Sequence, residues 1–191
     1  MIKPMPIISG EGIHLVPFTD NHLNDPKYLS WLHDYDVMKL INRPEYLLPI
    51  DFEHVKKYVK DVSLKNDDYM FAIEIGEKRV FIGTFKIDQI NWTTRTVNLG
   101  VMVGDRDYWG KGIGTKAFKI ATKFCFDKLG FTKVHAGCNE KNIGMIKVVQ
   151  KLGFKQDGCF RNHDLIEGEL TNHLYFSILK EEYEQNKKLY A

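Results

Sequence analysis

The sequence predicts an α/β class, an α+β mixed sheet flanked by helices, on three observations. Alternating apolar runs at Tyr69–Ile75, Val80–Asp88 and Arg95–Val103 have the period of half-buried strands. The last run leads into a loop with glycines at 110, 112 and 114, and an amphipathic helix follows at once. Beyond it the chain returns to strand at Lys133–Cys138, to helix at Asn142–Leu152, and to two more strands near Gln156–Arg161 and Leu170–Leu179.

Each element has its own local signal. Ile13–Phe18 alternates as an opening strand after the Gly10–Gly12 turn. Asp25-Pro26 reads as a helix start, with aspartate as cap and proline at the first helical position. Tyr28, Leu29 and Leu32 share one face of that helix, which pauses at Asp34–Asp36 and resumes through Val37–Ile41. Pro44 and Pro49 punctuate a loop, and Asp51 caps a second helix whose apolar face carries Val55, Tyr58, Val59 and Val62. Gly76–Lys78 closes the first hairpin of an antiparallel meander. Ala117, Phe118, Ala121, Phe124, Cys125 and Leu129 form a wide helical stripe that must pack on this sheet. Met145, Ile146, Val149 and Leu152 form another, ended by Gly153 as a left-handed cap.

At 191 residues, 43% hydrophobic and 27% charged, the chain fits one globular domain over residues 1–191. The net charge of +2, with basic and acidic residues interleaved, gives no nucleic-acid footprint. Cys125, Cys138 and Cys159 are odd in number and lack C-x-x-C spacing, which argues against a disulfide framework and a zinc site and fits a reducing cytoplasm. No metal is expected. The N-terminal stretch is too short and too interrupted by proline for a signal segment, and no apolar run approaches about 18 residues, so no membrane association is expected.

The glycine loop is where chemistry is concentrated. Glycine takes positive φ cheaply and admits close backbone approach, so successive amides can turn inward at the positive end of the following helix and cradle a diphosphate. The P-loop pattern G-x-x-x-x-G-K-S/T fails, because Trp109 stands where the second glycine belongs and Gly112 follows Lys111. The dinucleotide pattern G-x-G-x-x-G/A is met by Gly112, Gly114 and Ala117, with Glu140 roughly 20 residues on. It normally follows the first strand of a βαβ unit, whereas hairpin-like strands precede this loop. A glycine-rich turn that merely joins strand to helix is the remaining local reading.

The stretch WGKGIGTKAF, followed by helix, short strand and NEKNIGMIKVVQKLGF, resembles the GNAT superfamily of acetyl-CoA-dependent N-acetyltransferases. Gly112 and Gly114 fill the glycine places of its Q/R-x-x-G-x-G/A motif. Trp109 stands where Gln or Arg is usual, as in the branch holding ribosomal-protein N-terminal and nucleotide-aminosugar acetyltransferases. The resemblance runs from about Ile13 to Tyr183. It implies a mostly antiparallel central sheet whose fourth and fifth strands, at Arg95–Val103 and Lys133–Cys138, splay apart to admit acetyl-CoA. It further implies that the backbone of Val101, Met102 and Val103 pairs with the pantetheine arm. The amides of Trp109, Gly110, Lys111, Gly112, Ile113, Gly114 and Thr115 would hold the diphosphate, and Asn142 would contact the cofactor arm. Asn142 also suits a plain helix N-cap, and Lys111 suits either a phosphate contact or a solvated loop.

For catalysis the resemblance is incomplete. Asn98 occupies the place of the usual strand glutamate, two residues before Gly100, and an amide is no base near neutral pH. Val149 replaces the usual tyrosine acid, and Met145 stands where the aminosugar and ribosomal branch has serine. Asn98 and Tyr175 are carried forward as the catalytic candidates, Tyr175 as a donor to the thiolate. Glu140, His135 and His163 are substitutes near the mouth of the split, and an amine arriving deprotonated needs only water as base. The oxyanion donor is expected to be the amide of Val101 or Met102.

Acceptor choice is expected from the first helices. YLSWLHDYDVMK, Tyr28 to Lys39, resembles the YLxWLxD segment of the same branch, and Trp31, Asp34 and Asp36 are candidate acceptor contacts. The reading is an N-acetyltransferase using acetyl-CoA as donor for a primary amine: a protein N-terminus, an aminosugar nucleotide or a polyamine. The chain would act as a monomer or homodimer. A catalytically silent CoA-binding sensor and a dinucleotide-dependent oxidoreductase are the alternatives from other classes.

Overall fold

A computed structural model describes residues 5–41, 50–65 and 67–191. The expected loop at Pro44 and Pro49 lies outside the described residues. Among the described residues eight strands form one sheet in the order β1-β2-β3-β4-β5-β6-β8-β7. They are β1 (Ile8–Gly10), β2 (Ile13–Pro17), β3 (Tyr69–Ile75), β4 (Val80–Asn91), β5 (Thr96–Val103), β6 (Lys133–Asn139), β7 (Lys155–Ile166) and β8 (Glu169–Leu179). The meander β3-β4-β5 is antiparallel. Among these pairings only β5–β6 is parallel, as a return through a helix allows.

The helices are α1 (Asp20–Leu23), α2 (Pro26–His33), α3 (Tyr35–Met38), α4 (Phe52–Leu64), α5 (Ile113–Asp127), α6 (Ile143–Lys151) and α7 (Lys180–Gln185). Their starts follow the expected caps. Asp25 accepts from Lys27 N–H, Asp51 from His54 N–H, and Asn142 from Met145 N–H. The pause at Asp34 is real: its carboxylate caps α3 by accepting from Asp36 N–H. Gly153, at φ +79°, ends α6. Phe154 N–H reaches back to the Val149 carbonyl and Gly153 N–H to that of Gln150, the Schellman arrangement.

Several strand ends differ from the sequence reading, β2 and β6 by one residue each. Arg95 takes φ +56° in the β4–β5 turn, so β5 starts one residue later. β4 continues to Asn91 through an irregularity after Asp88, where Gln89 is at φ +50°. β7 and β8 form a hairpin longer than expected, with a bulge between Phe160 and Asp164. The expected Gln156–Arg161 ends inside that bulge, and a second irregularity lies between Gln156 and Gly158; a bulge breaks the period that reveals a strand.

Apolar side chains fill both faces of the sheet. One cluster lies beneath α5 and α6 and includes Phe85, Ile87, Val97, Leu99, Phe118, Ala121, Val134 and Val149. The other joins α1 to α4 with β2 to β5 through Val16, Tyr28, Trp31, Val37, Ala72 and Phe81, and takes no residue from β6, β7 or β8. On the second face, therefore, the α1–α4 layer stops where β6 begins. Among the described residues no helix is long and apolar enough to cross a membrane.

Gly153→Ala places a Cβ on a left-handed residue and should lower unfolding free energy by about 1 kcal/mol, read from the urea midpoint at unchanged m-value.

Candidate active site

The β5–β6 ladder consists of Thr96 with Lys133, Val97 with Val134, and Asn98 with His135, and then stops. Each strand continues on its other side: β5 stays paired with β4 as far as Val103, and β6 with β8 as far as Asn139. Two facing edges are thus left open beyond Asn98 and His135. Their orientation can be read from both ends of β5. The Arg95 carbonyl accepts from Thr132 N–H on the β6 side, whereas Gly104 N–H donates to Ile82 on the β4 side. Alternation then turns the N–H and C=O of Val101 and Val103 toward the opening and those of Met102 toward β4. A Cβ at Gly83 would fall 2.2 Å from the Met102 carbonyl, which places that oxygen on β4.

The opening leads to the glycine loop. Gly110 and Gly112 have φ of +72° and +75°, and a Cβ at either would meet no atom within 4 Å, so the loop is wound and uncovered. Gly112 is the N-cap of α5; it offers no side-chain cap, and the first turn carries no acidic residue. Lys116 N–H is the donor to the Gly112 carbonyl, so the amides of Ile113, Gly114 and Thr115 lie ahead of the helical ladder. Gly114 sits where a Cβ would be 3.4 Å from Val148 Cγ2 and 4.0 Å from Val101 Cγ1, drawing α5, α6 and β5 together. An uncapped helix end behind two left-handed glycines is a site for a phosphate group.

This geometry and the sequence decide the family. Residues 13–155 match the acetyltransferase (GNAT) domain. The chain belongs to the GNAT acetyltransferase family. The acetyltransferase is 27% identical over 150 residues to an uncharacterized N-acetyltransferase, p20, of Bacillus licheniformis, covering 78% of this chain and 84% of that one. It is 30% identical over 122 residues to a probable N-acetyltransferase, YjcK, of Bacillus subtilis (strain 168), covering 63% and 67%. In fold it is similar to the spermidine N-acetyltransferase from Vibrio cholerae crystallised with CoA and spermine. The TM-score there is 0.81 at 16% identity, over 92% of this chain and 99% of that one.

Several expected site residues have other work in the acetyltransferase. The Met102 backbone belongs to the β4 ladder, as above. Trp109 N–H donates to the Arg106 carbonyl, so the cradle begins at Gly110. The Trp109 indole instead staples the loop to β5, donating to the Val103 carbonyl at 2.7 Å. Lys111 Nζ lies 5.4 Å from the Tyr108 ring centroid. Trp31 is 7% exposed, packs on Phe81, and lies so close to Gly104 that a Cβ there would overlap its ring; it is core rather than an open contact. Asp34 and Asp36 both pair with Arg106, and Asp36 also with Lys39 at 2.8 Å. The expected acidic wall is therefore largely neutralised.

The catalytic candidates sit on the second sheet face. Asn98 donates its amide to Asp88 at 2.7 Å, and Asp88 pairs with Lys86 at 2.8 Å. Tyr175 lies opposite both Gly137 and Gly158, and its ring packs on Phe160 and His173. Glu140 accepts from the backbone and side-chain amides of Asn172. His163 is exposed and touches Phe160 edge-on. Val149 is fully buried in the core. Sequence reading missed His173. The alternation of β8 that singled out Tyr175 puts His173 on the same face, but its partner Asp164 lies beyond the β7 bulge.

Burial, with Lys133 adding to it, holds His135 below the ordinary histidine value, against the pull of Asp88 and Asp157. The unfolded chain then binds more protons than the folded one as pH falls below about 6.5, so the stability present above that pH is lost below it. The urea midpoint should fall between about pH 7.5 and about pH 5, and His135→Asn should flatten that decline.

Proposed function

We propose that the chain transfers acetyl from acetyl-CoA to a primary amine by direct attack in a ternary complex. The observation that carries this is the continuity between the open β5–β6 edges and the uncapped α5 terminus. Strand edges that part leave amides and carbonyls in need of partners, and the helix end beyond them favours an anion. A ligand with a diphosphate at one end and an amide-bearing arm satisfies both. Acetyl-CoA, when bound, supplies an acyl thioester that an amine can attack.

The remaining roles fall to this chain's own groups. The amides from Gly110 to Thr115 hold the diphosphate. Val101 and the Val103 N–H face the arm, since the Val103 carbonyl is already taken by Trp109. Val101 N–H is the donor placed to hold negative charge developing on the acyl oxygen. Asn142 caps α6 through Oδ1, and its Nδ2 is the group assigned to the cofactor arm. Tyr175 is assigned to the departing thiol. Asn98 acts through position, since its amide is bound to Asp88.

The acceptor stands on the second face, between the α2–α3 corner and the β7–β8 hairpin. Tyr35 of α3 donates to Glu167 at the hairpin tip, 132 residues away in sequence, at 2.6 Å. With Asp34 and Asp36 bound by cations, a polycation gains less there than it would against free carboxylates. The spermidine enzyme similar in fold acts on a polyamine; a polyamine, a protein N-terminus and an aminosugar nucleotide are the classes to compare.

Gly112 tests the cradle. Aspartate and asparagine both tolerate the left-handed backbone at that position, but only aspartate sets a charge against the diphosphate. Gly112→Asp should weaken acetyl-CoA binding at least about tenfold by calorimetry, some 1.4 kcal/mol, while Gly112→Asn weakens it less. Thiol release over peptides, aminosugar nucleotides and polyamines then identifies the acceptor. Tight binding without release from any amine would return the sensor reading.

A further inference from the structure

His173 has no part in the roles assigned above, yet its surroundings are built around it. Its Nδ1 lies 2.8 Å from Asp164 Oδ2. Asp164 is 1% exposed, and the same oxygen accepts from Asn139 Nδ2 at 2.8 Å. Asn139, also 1% exposed, spends its own oxygen on Lys141 N–H, just ahead of α6. The bulge in β7 makes this possible. Phe160 pairs with His173 and Asp164 with Thr171, so residues 161 to 163 stand opposite Asn172 alone, with Asn162 at φ +51°. The register after the bulge sets Asp164 diagonally across from His173 on one face.

A buried carboxylate that already accepts from an amide accepts from the imidazole too, so Nδ1 carries the proton and Nε2 keeps its lone pair. That lone pair has a definite place. A Cβ on Gly137 would fall 2.7 Å from His173 Nε2. Gly137 lies past the last β5–β6 pair, on the open edge of β6. Across the opening, a Cβ at Gly100 of β5 would meet no atom within 4 Å. Gly100 thus leaves the second face clear on the β5 side of the split, and on the β6 side the His173 imidazole takes the place a Gly137 side chain would fill, so Nε2 borders the opening. His135, by contrast, lies where the ladder still holds, beside a lysine that opposes its protonation.

We propose that His173, oriented by Asp164, is the proton acceptor for the attacking amine; this rests on the acetyl-transfer reading. An ammonium entering over Gly100 gives one proton to Nε2, and the N–H bonding pair stays on nitrogen as the nucleophile. The new N–C bond forms, the C–S bond breaks with its pair on sulfur, and a second nitrogen proton leaves with the thiol. The third remains on the amide product, and the imidazolium, held by Asp164, returns its proton to solvent. The groups facing His173 are Asp164 and His163 from β7, Asn139, its register partner, from β6 and Tyr175 from β8, with the apolar Phe160 paired to it on β7. The ring of Tyr175 lies 5.0 Å from that of His173 and offers a face to an ammonium.

Two measurements on the full chain test this. In His173→Gln, thiol release with the best amine of the panel should fall on the order of a hundredfold. Its pH–rate profile should lose the histidine limb, while acetyl-CoA affinity and melting temperature hold. Separately, long-range nitrogen–proton spectra of the labelled wild type at about pH 8 should show His173 as the Nδ1-protonated tautomer, with assignment by its loss in His173→Gln. An Nε2-protonated tautomer overturns the proposal, as does unchanged turnover and pH profile in His173→Gln. A wild type that neither binds acetyl-CoA nor releases thiol overturns the acetyl-transfer reading itself, an outcome distinct from a failure confined to His173.

Discussion

A parallel ladder that ends at Asn98 and His135 is the constraint to which the rest of the chain responds. Neither strand ends there. β5 is carried onward by β4 and β6 by β8, so each is held by an outer neighbour while the inner contact is given up. Sheet twist separates strands that are led by different partners. The parted edges leave backbone groups without a strand partner; the Val103 carbonyl is taken by the Trp109 indole and the Asn139 carbonyl by Asn142 N–H, and the groups between look to a ligand or water. The glycine loop lies at their open end. α5 and α6 converge on them through Gly114, where a Cβ would lie in van der Waals contact with Val148 and Val101.

The two sheet faces divide the labour. Beneath α5 the face is apolar and closed, which fixes β5 and β6 in depth. On the other face the α1–α4 layer reaches only to β5, and the side chains that follow include the polar Asn98, His135, Ser177, Tyr175 and His173 beside the apolar Phe160. Charges on this side are paired into short chains. Lys86 binds Asp88, which binds Asn98; Lys133 binds Asp157, which accepts from Ser177; Arg106 spans Asp34 and Asp36. Buried polar groups are tolerable when satisfied in this way. Such pairing holds Asn98 in place but gives it no basic lone pair, so proton transfer has to be sought elsewhere on the same face.

Much of this was legible in the residues. Asp25, Asp51, Asn142 and Gly153 mark helix ends because capping is decided within four or five residues of chain. Tyr69–Ile75 and the stripe of α5 reveal themselves by period, since one buried face is enough to impose it. The glycines at 110 and 112 announce a wound loop because only positive φ makes glycine preferable there.

What the sequence by itself determined, then, is which segments are strand or helix, where helices begin and end, and that a glycine-wound loop opens α5. Tertiary structure alone decided which of Val101 and Met102 faces the opening, that Trp31 is sealed against Gly104, that Arg106 absorbs Asp34 and Asp36, and that Asp164 reaches His173. The reason is physical. Caps and periodicity act over one or two turns of chain, whereas register, bulges and ion pairs join residues tens of positions apart, and a one-residue slip moves every side chain to the opposite face.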